Sequence, residues 1–349
     1  MMNTYSSKIT AIFLLICMLF SLTACGTSEK EAEESLPENS IWITDMSGRK
    51  VAIPEETDKN TAASTYGVVS PLLLSIDMID RMDAAAFKNK AFLRKAEPKI
   101  DEVDFIGYNT VDMEKLAAVN PSIFICKVGE TEKIRAVTEL GIPVITIKAE
   151  TPEDIINTYE LLGKAFGKEK EADRIIKYLT SEMETLKETA HKIPEDRRKS
   201  AVVIGTEMSR IAGDDMLQTV LLEAAGGVPV NKGINNKFAW VNIGTEKLLE
   251  MNPEYIFATS SGVLGYKLDD FYEDTAFGAM TAVKNKNIYK IPAKMDSWDL
   301  PGPVFILSAY YMMNKMYPDI FTDEDLQAEV DECYEFIYGR TFSADEIGY

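Results

Sequence analysis

Side chains able to grip a small charged solute fall just behind short apolar runs of this chain. Tyr66, Lys88, Tyr108 and Lys127 do so in the first half, and Met208, Arg210, Ser260, Met295 and Trp298 in the second. Gly67, Phe87, Trp240 and Ser261 stand beside them. An aromatic ring offers a flat face for stacking, while lysine or arginine neutralises a carboxylate, catecholate or oxyanion. An ordinary loop aromatic or a solvated cation looks the same in a sequence, so residue type alone assigns none of them. Met208 and Tyr66 are of types that ligate haem iron, although a methionine behind a strand more often packs. The single histidine, His191, excludes the histidine-rich cage of a free zinc or manganese carrier. Hydrolytic machinery is equally thin: there is no Gly-x-Ser-x-Gly elbow, no metalloprotease His pair and no Ser/His arrangement. Only carboxylate chemistry stays open to a surface hydrolase, the rival class. Gly226-Gly227 with Lys232 follows a helix, so it reads as a helix stop and not a phosphate loop. The expectation is binding without catalysis, with no cofactor and no resident metal.

The elements that must hold these residues alternate. Residues 60–63, 122–126 and 144–147 read as strands, with helices over 69–79 and 132–140. Thr151-Pro152 opens a helix running to Gly167, and residues 168–191 form a second of about 24 residues, roughly 36 Å long. Its apolar stripe is Ile175, Ile176, Leu179, Met183 and Leu186. Alternation then resumes, with strands over 201–204, 255–258 and 287–291 and helices over 214–225, 245–251, 301–317 and 323–338. The fold class is α/β: two Rossmann-like lobes with central parallel sheets flanked by helices, joined by one long helix, with a ligand cleft between them. Ligands of such lobes sit outside the carboxyl ends of the strands, which is where the candidate residues lie.

The amino-terminal segment is an address. Lys8 precedes an uncharged apolar run over 9–22, shorter than the roughly 20 residues of a membrane span, and Leu22-Thr23-Ala24-Cys25 looks like a lipobox. Residues 1–24 therefore read as a lipoprotein signal peptide with lipidation at Cys25, and 25–40, rich in glutamate, as a solvated tether. The body divides into an amino-terminal lobe (41–150), hinge helices (151–194) and a carboxyl-terminal lobe (195–349). A formal net charge of −19 repels nucleic acid and anionic lipid surfaces and keeps a secreted monomer soluble. Four cysteines are too few for a disulfide framework. Cys126 and Cys333 are expected as two buried thiols, with a bridge between them the alternative.

One repeat is visible. Residues 110–125 and 242–257 align without gaps, matching Glu114-Lys115-Leu116 to Glu246-Lys247-Leu248 and Asn120-Pro121 to Asn252-Pro253. Thr110 and Asn242 are good cap types, a helix follows, and Asn-Pro stops it before a strand. Each unit carries a glutamate in its helix's first turn, which the macrodipole favours by about 0.3–1 kcal/mol whatever its role. Two exposed carboxylates on equivalent units also form a handle able to orient a basic partner.

With the lipobox, Asp112 to Pro121, Leu140-Gly141-Ile142-Pro143-Val144, the paired long helices, Ala224-Ala225-Gly226-Gly227 and Thr245-Glu246-Lys247-Leu248, the chain resembles the iron-siderophore, haem and cobalamin substrate-binding proteins of ABC importers. The resemblance runs from about residue 41 to the carboxyl terminus. It implies an extracytoplasmic lipoprotein on the outer face of a bacterial cell membrane, partnered by an ABC permease and its ATPase. It also implies two lobes on one long helix with the solute between them, and docking of Glu114 and Glu246 on permease arginines. Basic and aromatic side chains occupy corresponding loops in that family, which favours Arg210 and Trp298. The stretch 298–321 resembles members that take iron complexes, so a ferric siderophore leads, followed by a corrinoid such as cobalamin, haem and a molybdate-type oxyanion.

Overall fold

Period-two alternation in the strands divides the interior. Ile123 and Ile125 face one core while Phe124 and Cys126 face another, and Ala201 and Val203 are likewise separated from Val202 and Ile204. Each sheet is therefore covered on both faces, as parallel sheets require.

The computed structural model describes residues 36–87, 89–234, 239–260 and 262–349. A hairpin of β1 (Ser40–Thr44) and β2 (Lys50–Pro54) comes first. Next come β3 (Ala62–Ser64), α1 (Val69–Ser75), β4 (Met82–Ala84), α2 (Lys90–Ala96), α3 (Met113–Val119), β5 (Ile123–Lys127), α4 (Thr131–Thr138) and β6 (Val144–Ile147). Their strands pair in parallel in the order β4-β3-β5-β6. Two long helices follow, α5 (Pro152–Phe166) and α6 (Glu169–His191). The Thr151 hydroxyl caps α5 by accepting from Asp154 N at 3.1 Å, and Gly167 ends it at a φ of 59°, a left-handed conformation that suits glycine.

The second lobe contains β7 (Ser200–Ile204), β8 (Arg210–Ile211), α7 (Leu217–Ala224), β9 (Val228–Pro229), β10 (Val241–Asn242), α8 (Gly244–Met251), β11 (Tyr255–Ala258), α9 (Asp270–Glu273), α10 (Thr281–Lys284) and β12 (Ile288–Lys290). Its strand order is β10-β8-β7-β11-β12, with β9 on β7. The chain closes with α11 (Ile306–Met316), α12 (Asp323–Tyr338) and α13 (Ala344–Ile347). One core runs from the first sheet through α5 and α6 to α11, α12 and β7.

Several expectations shift. Sheet two is mixed, because β8 pairs antiparallel with both β7 and β10. The long helix buries Tyr178 and Glu182 and leaves Ile176 and Met183 half exposed, so its inward stripe is rotated from the apolar one. Asp112, not Thr110, caps α3, its carboxylate accepting from Lys115 N at 3.1 Å. Asn242 instead turns the chain into α8 by accepting from Gly244 N at 3.1 Å. The helix expected from residue 301 starts at Ile306. Cys126 and Cys333 are free and buried, and burial pushes the Cys126 thiol up to about 12.

The β1–β2 hairpin was not anticipated, and Asp45 shows what ties it down. Its fully buried carboxylate accepts from Ser47 N and Oγ, Arg49 N, Nε and Nη2, and Thr146 N and Oγ1 on β6. Burial alone pushes this carboxyl up, but the Thr146, Arg49 and Ser47 bonds together hold it below the usual aspartate range.

Candidate functional site

The loop behind β3 is where the first lobe gathers its polar groups. Asn109 N donates to Thr65 O at 3.0 Å, folding residues 105–112 back onto the strand end. Gly107 permits the fold: it sits at a φ of +118°, and a Cβ there would lie 2.1 Å from Thr110 O. Tyr108 is thereby held near Tyr66, itself half-buried. Burial first, then the Glu150 and Glu130 carboxylates, drive the Tyr66 hydroxyl well above its usual range, so it stays neutral and able to donate. Lys127, the last residue of β5, places its ammonium 2.8 Å from Glu150, while Glu130 accepts from Lys127 N at 3.1 Å and from Lys133 Nζ at 2.6 Å. Cation and carboxylate are thus balanced on this rim.

In the second lobe Arg210 stands apart. Its guanidinium is half-buried on β8 and has no side-chain partner among the described residues. Beside it, Trp240 lies against Gly205 just beyond β7, where a Cβ would come within 2.9 Å of Trp240 Cε3. Tyr266 Oη donates to Gly205 O at 3.0 Å from the loop behind β11. An uncompensated guanidinium at this strand end is suited to a compact anion.

The lobes meet through loops. Asn89 Nδ2 donates to Met295 O and, at 3.2 Å, to Lys294 O, while its Oδ1 caps α2 by accepting from Phe92 N at 3.1 Å. Next to this bridge a cavity of ≈ 30 Å³ is lined from one side by Gly67, Val68 and Pro71 and from the other by Ser297, Leu300 and Pro301. That is room for about one or two waters.

Glu114 and Glu246 are exposed in the first turns of α3 and α8. Both helices end on a left-handed asparagine, Asn120 at a φ of 49° and Asn252 at 43°. Both feed the strand next to the first strand of their own sheet, β5 beside β3 and β11 beside β7. The sequence repeat is therefore a structural one, with both glutamates at the same place in it.

The sequence profile of the periplasmic binding proteins matches residues 69–295. The chain belongs to that family. Along the whole length, it is 22% identical to the molybdate-binding protein MolA of Haemophilus influenzae, covering 95% of this chain and 97% of that one. It is also 22% identical to the uncharacterized ABC transporter substrate-binding lipoprotein YvrC of Bacillus subtilis, covering 90% and 98%. A periplasmic solute binding protein from Veillonella parvula superposes with a TM-score of 0.73 at 23% identity, over 88% of this chain and 96% of that one, which establishes the shared fold. This periplasmic binding protein is the substrate-binding component of an ABC transporter; members of the family bind solutes for transport and are not enzymes.

Not every expected site residue of this periplasmic binding protein reaches open space. Trp298 is fully buried, its indole N–H donating to Tyr334 Oη at 3.1 Å and its ring packed against Tyr311 and Tyr349. Met295 is buried too, and Met208 is half-buried against the outer core of sheet two. Ser260 is buried and committed to Asp299. Lys88, Ser261 and Cys25 lie outside the described residues.

Two groups escaped the sequence reading. Thr65 Oγ1 is buried directly behind β3 and has no hydrogen-bond partner among the described residues. Its position after a strand was the available signal. Asp299, fully buried, accepts from Thr259 Oγ1 at 2.5 Å and from Ser260 N at 3.0 Å and Ser260 Oγ. It thereby moors the end of β11 to the loop that Asn89 holds from the other lobe. No local pattern marks such a residue.

Proposed function

We propose that this binding protein captures an anionic metal-containing solute between its lobes, a ferric siderophore first, and hands it to the permease. The carrying observation is the Arg210 guanidinium, half-buried on β8 and without a side-chain partner among the described residues. A half-buried charge without a partner carries a desolvation cost, and an anionic ligand lowers it. Tyr66, Tyr108, Lys127 and the Thr65 hydroxyl would face the solute from the opposite lobe, with Lys88 and Met208 in the surrounding loops and the buried Ser260, Met295 and Trp298 supporting those loops from behind. The lobes are taken as 41–150 and 195–349 on a hinge of 151–194. Lipidation at Cys25 would hold the monomeric body at the outer face of the membrane, within reach of the permease and ATPase.

A second reading, molybdate, is favoured by full-length similarity to MolA. The two separate in a thermal-shift titration against ferric catecholate, ferric hydroxamate, cobinamide, haem and molybdate. At 100 Kd of ligand the stabilisation is about 2.7 kcal/mol. A shift with a ferric chelate that Arg210→Ala abolishes is expected. A shift with molybdate alone transfers the assignment to the oxyanion, and a shift with cobinamide alone removes the anion argument.

A further inference from the structure

Asn89 joins the loops behind two edge strands. It follows β4, the outer strand of sheet one, and its partners Lys294 and Met295 follow β12, the outer strand of sheet two. Its Nδ2 donates to Met295 O and, at 3.2 Å, to Lys294 O, while its Oδ1 accepts from Phe92 N at 3.1 Å. The amide meets all three partners in one orientation only, since carbonyls need a donor and an N–H needs an acceptor. One side chain thus caps α2 in the first lobe and rivets that helix to the second.

Residues 340–349 bind both sides of this rivet. Arg340 Nη1 donates to Lys95 O at 2.9 Å and Lys95 Nζ stands 2.8 Å from Glu346 Oε1, which fastens the segment to α2. Lys294 Nζ donates to Asp345 O, and the Tyr349 ring packs on Trp298 with centroids 5.3 Å apart, which fastens it to the 294–298 loop. Phe92 of α2 is buried edge-on among the rings of Tyr334, Tyr338 and Phe342. These parts form one three-way junction between the lobes, made without the covalent link through α5 and α6. The cavity beside it, ≈ 30 Å³, is far too small for a metal chelate, so this flank is closed to solute.

We propose that Asn89 is a positioning residue for solute capture, the bolt of a latch that closes one flank of the cleft and governs how often the lobes part to admit or release solute. The proposal rests on the reading that solute is held between the lobes. The candidate groups lie along other strands, with Tyr66 behind β3, Lys127 on β5 and Arg210 on β8. The latch therefore stands beside the solute and does not touch it. Parting of the lobes precedes both entry and exit, so a weaker latch speeds the two alike and leaves affinity nearly as it was.

Asn89→Asp separates the two roles of the side chain. Aspartate caps a helix as well as asparagine does, so α2 keeps its end, but it cannot donate and sets a carboxylate against two carbonyls. Asn89→Ala loses cap and rivet together. Spin labels on Ala118→Cys in α3 and Thr245→Cys in α8, both exposed positions, read the distance between the lobes in solute-free protein, with the buried Cys126 and Cys333 left unlabelled. The wild-type background should give one narrow distance. Both Asn89 variants should give the same broader distribution, while only Asn89→Ala melts markedly lower. Stopped-flow mixing of Asn89→Asp with a ferric trihydroxamate should show on-rate and off-rate both raised about tenfold for the two lost hydrogen bonds, with Kd changed less than about threefold. A distance distribution for Asn89→Asp that matches the wild type overturns the latch. So does a rise in Kd through the off-rate alone, which marks Asn89 as a direct contact to solute. A wild type that does not bind the trihydroxamate counts against the solute assigned above, and the distance result then decides the latch by itself.

Discussion

Replacing Glu114 and Glu246 together with alanine abolishes solute uptake while leaving solute affinity unchanged and lowering the melting temperature by a few degrees at most. Both side chains are exposed in the first turns of equivalent helices and neither is engaged in an ion pair among the described residues. Removing them therefore disturbs no internal contact beyond about 0.3–1 kcal/mol of helix-dipole energy each. On the expectation that they dock on permease arginines, each carboxylate would contribute about 1.4 kcal/mol, a tenfold change in affinity. The single variants should weaken capture by the permease about tenfold and the pair about a hundredfold. Surface plasmon resonance on permease in nanodiscs reads this directly, and charge reversal to lysine should deepen the loss. Full uptake by the double variant would remove both residues from the docking surface.

Asp299→Ala carries the second large effect, on both stability and the solute site. The substitution strands the N–H and the hydroxyl of Ser260 in a buried setting and removes the acceptor of the Thr259 hydroxyl. At roughly 1–3 kcal/mol for each unsatisfied buried group, and with hydroxyls free to turn, the cost is about 3 kcal/mol or more. Calorimetry should show a drop of roughly 5 °C or more. Asp299→Asn keeps an acceptor and should lose less than half as much. Solute dissociation from the alanine variant should accelerate, since the end of β11 is no longer moored to the loop that meets Asn89. An alanine variant that melts like the wild type would show that the Asp299 bonds contribute nothing net.

The repeat that carries Glu114 and Glu246 was legible because its evidence is local. Glu-Lys-Leu and Asn-Pro repeat within sixteen-residue units, and the structure turns each Asn-Pro into a left-handed helix end before a strand. The long helix was legible for the same reason, through its period. Its inward face was not, because Glu182 is made tolerable there by the Tyr310 hydroxyl, brought in by a later helix. Trp298 shows the limit most clearly. Its place shortly after β12 suggested an exposed ring, but Tyr334 and Tyr349 from the chain's end close over it. Asp299 was invisible for a related reason: its partners are some forty residues away, and a buried aspartate looks like any other in a sequence.

The central claim, that solute is held between the lobes at the carboxyl ends of their strands, is tested most directly by anomalous X-ray scattering. Crystals of the protein soaked with whichever compound raises its melting temperature should give one metal peak between the two lobes, within reach of Arg210 and of the Tyr66–Tyr108 loop. A peak on the outer face of either sheet, or full solute affinity in crystals that show no interlobe peak, would contradict the account.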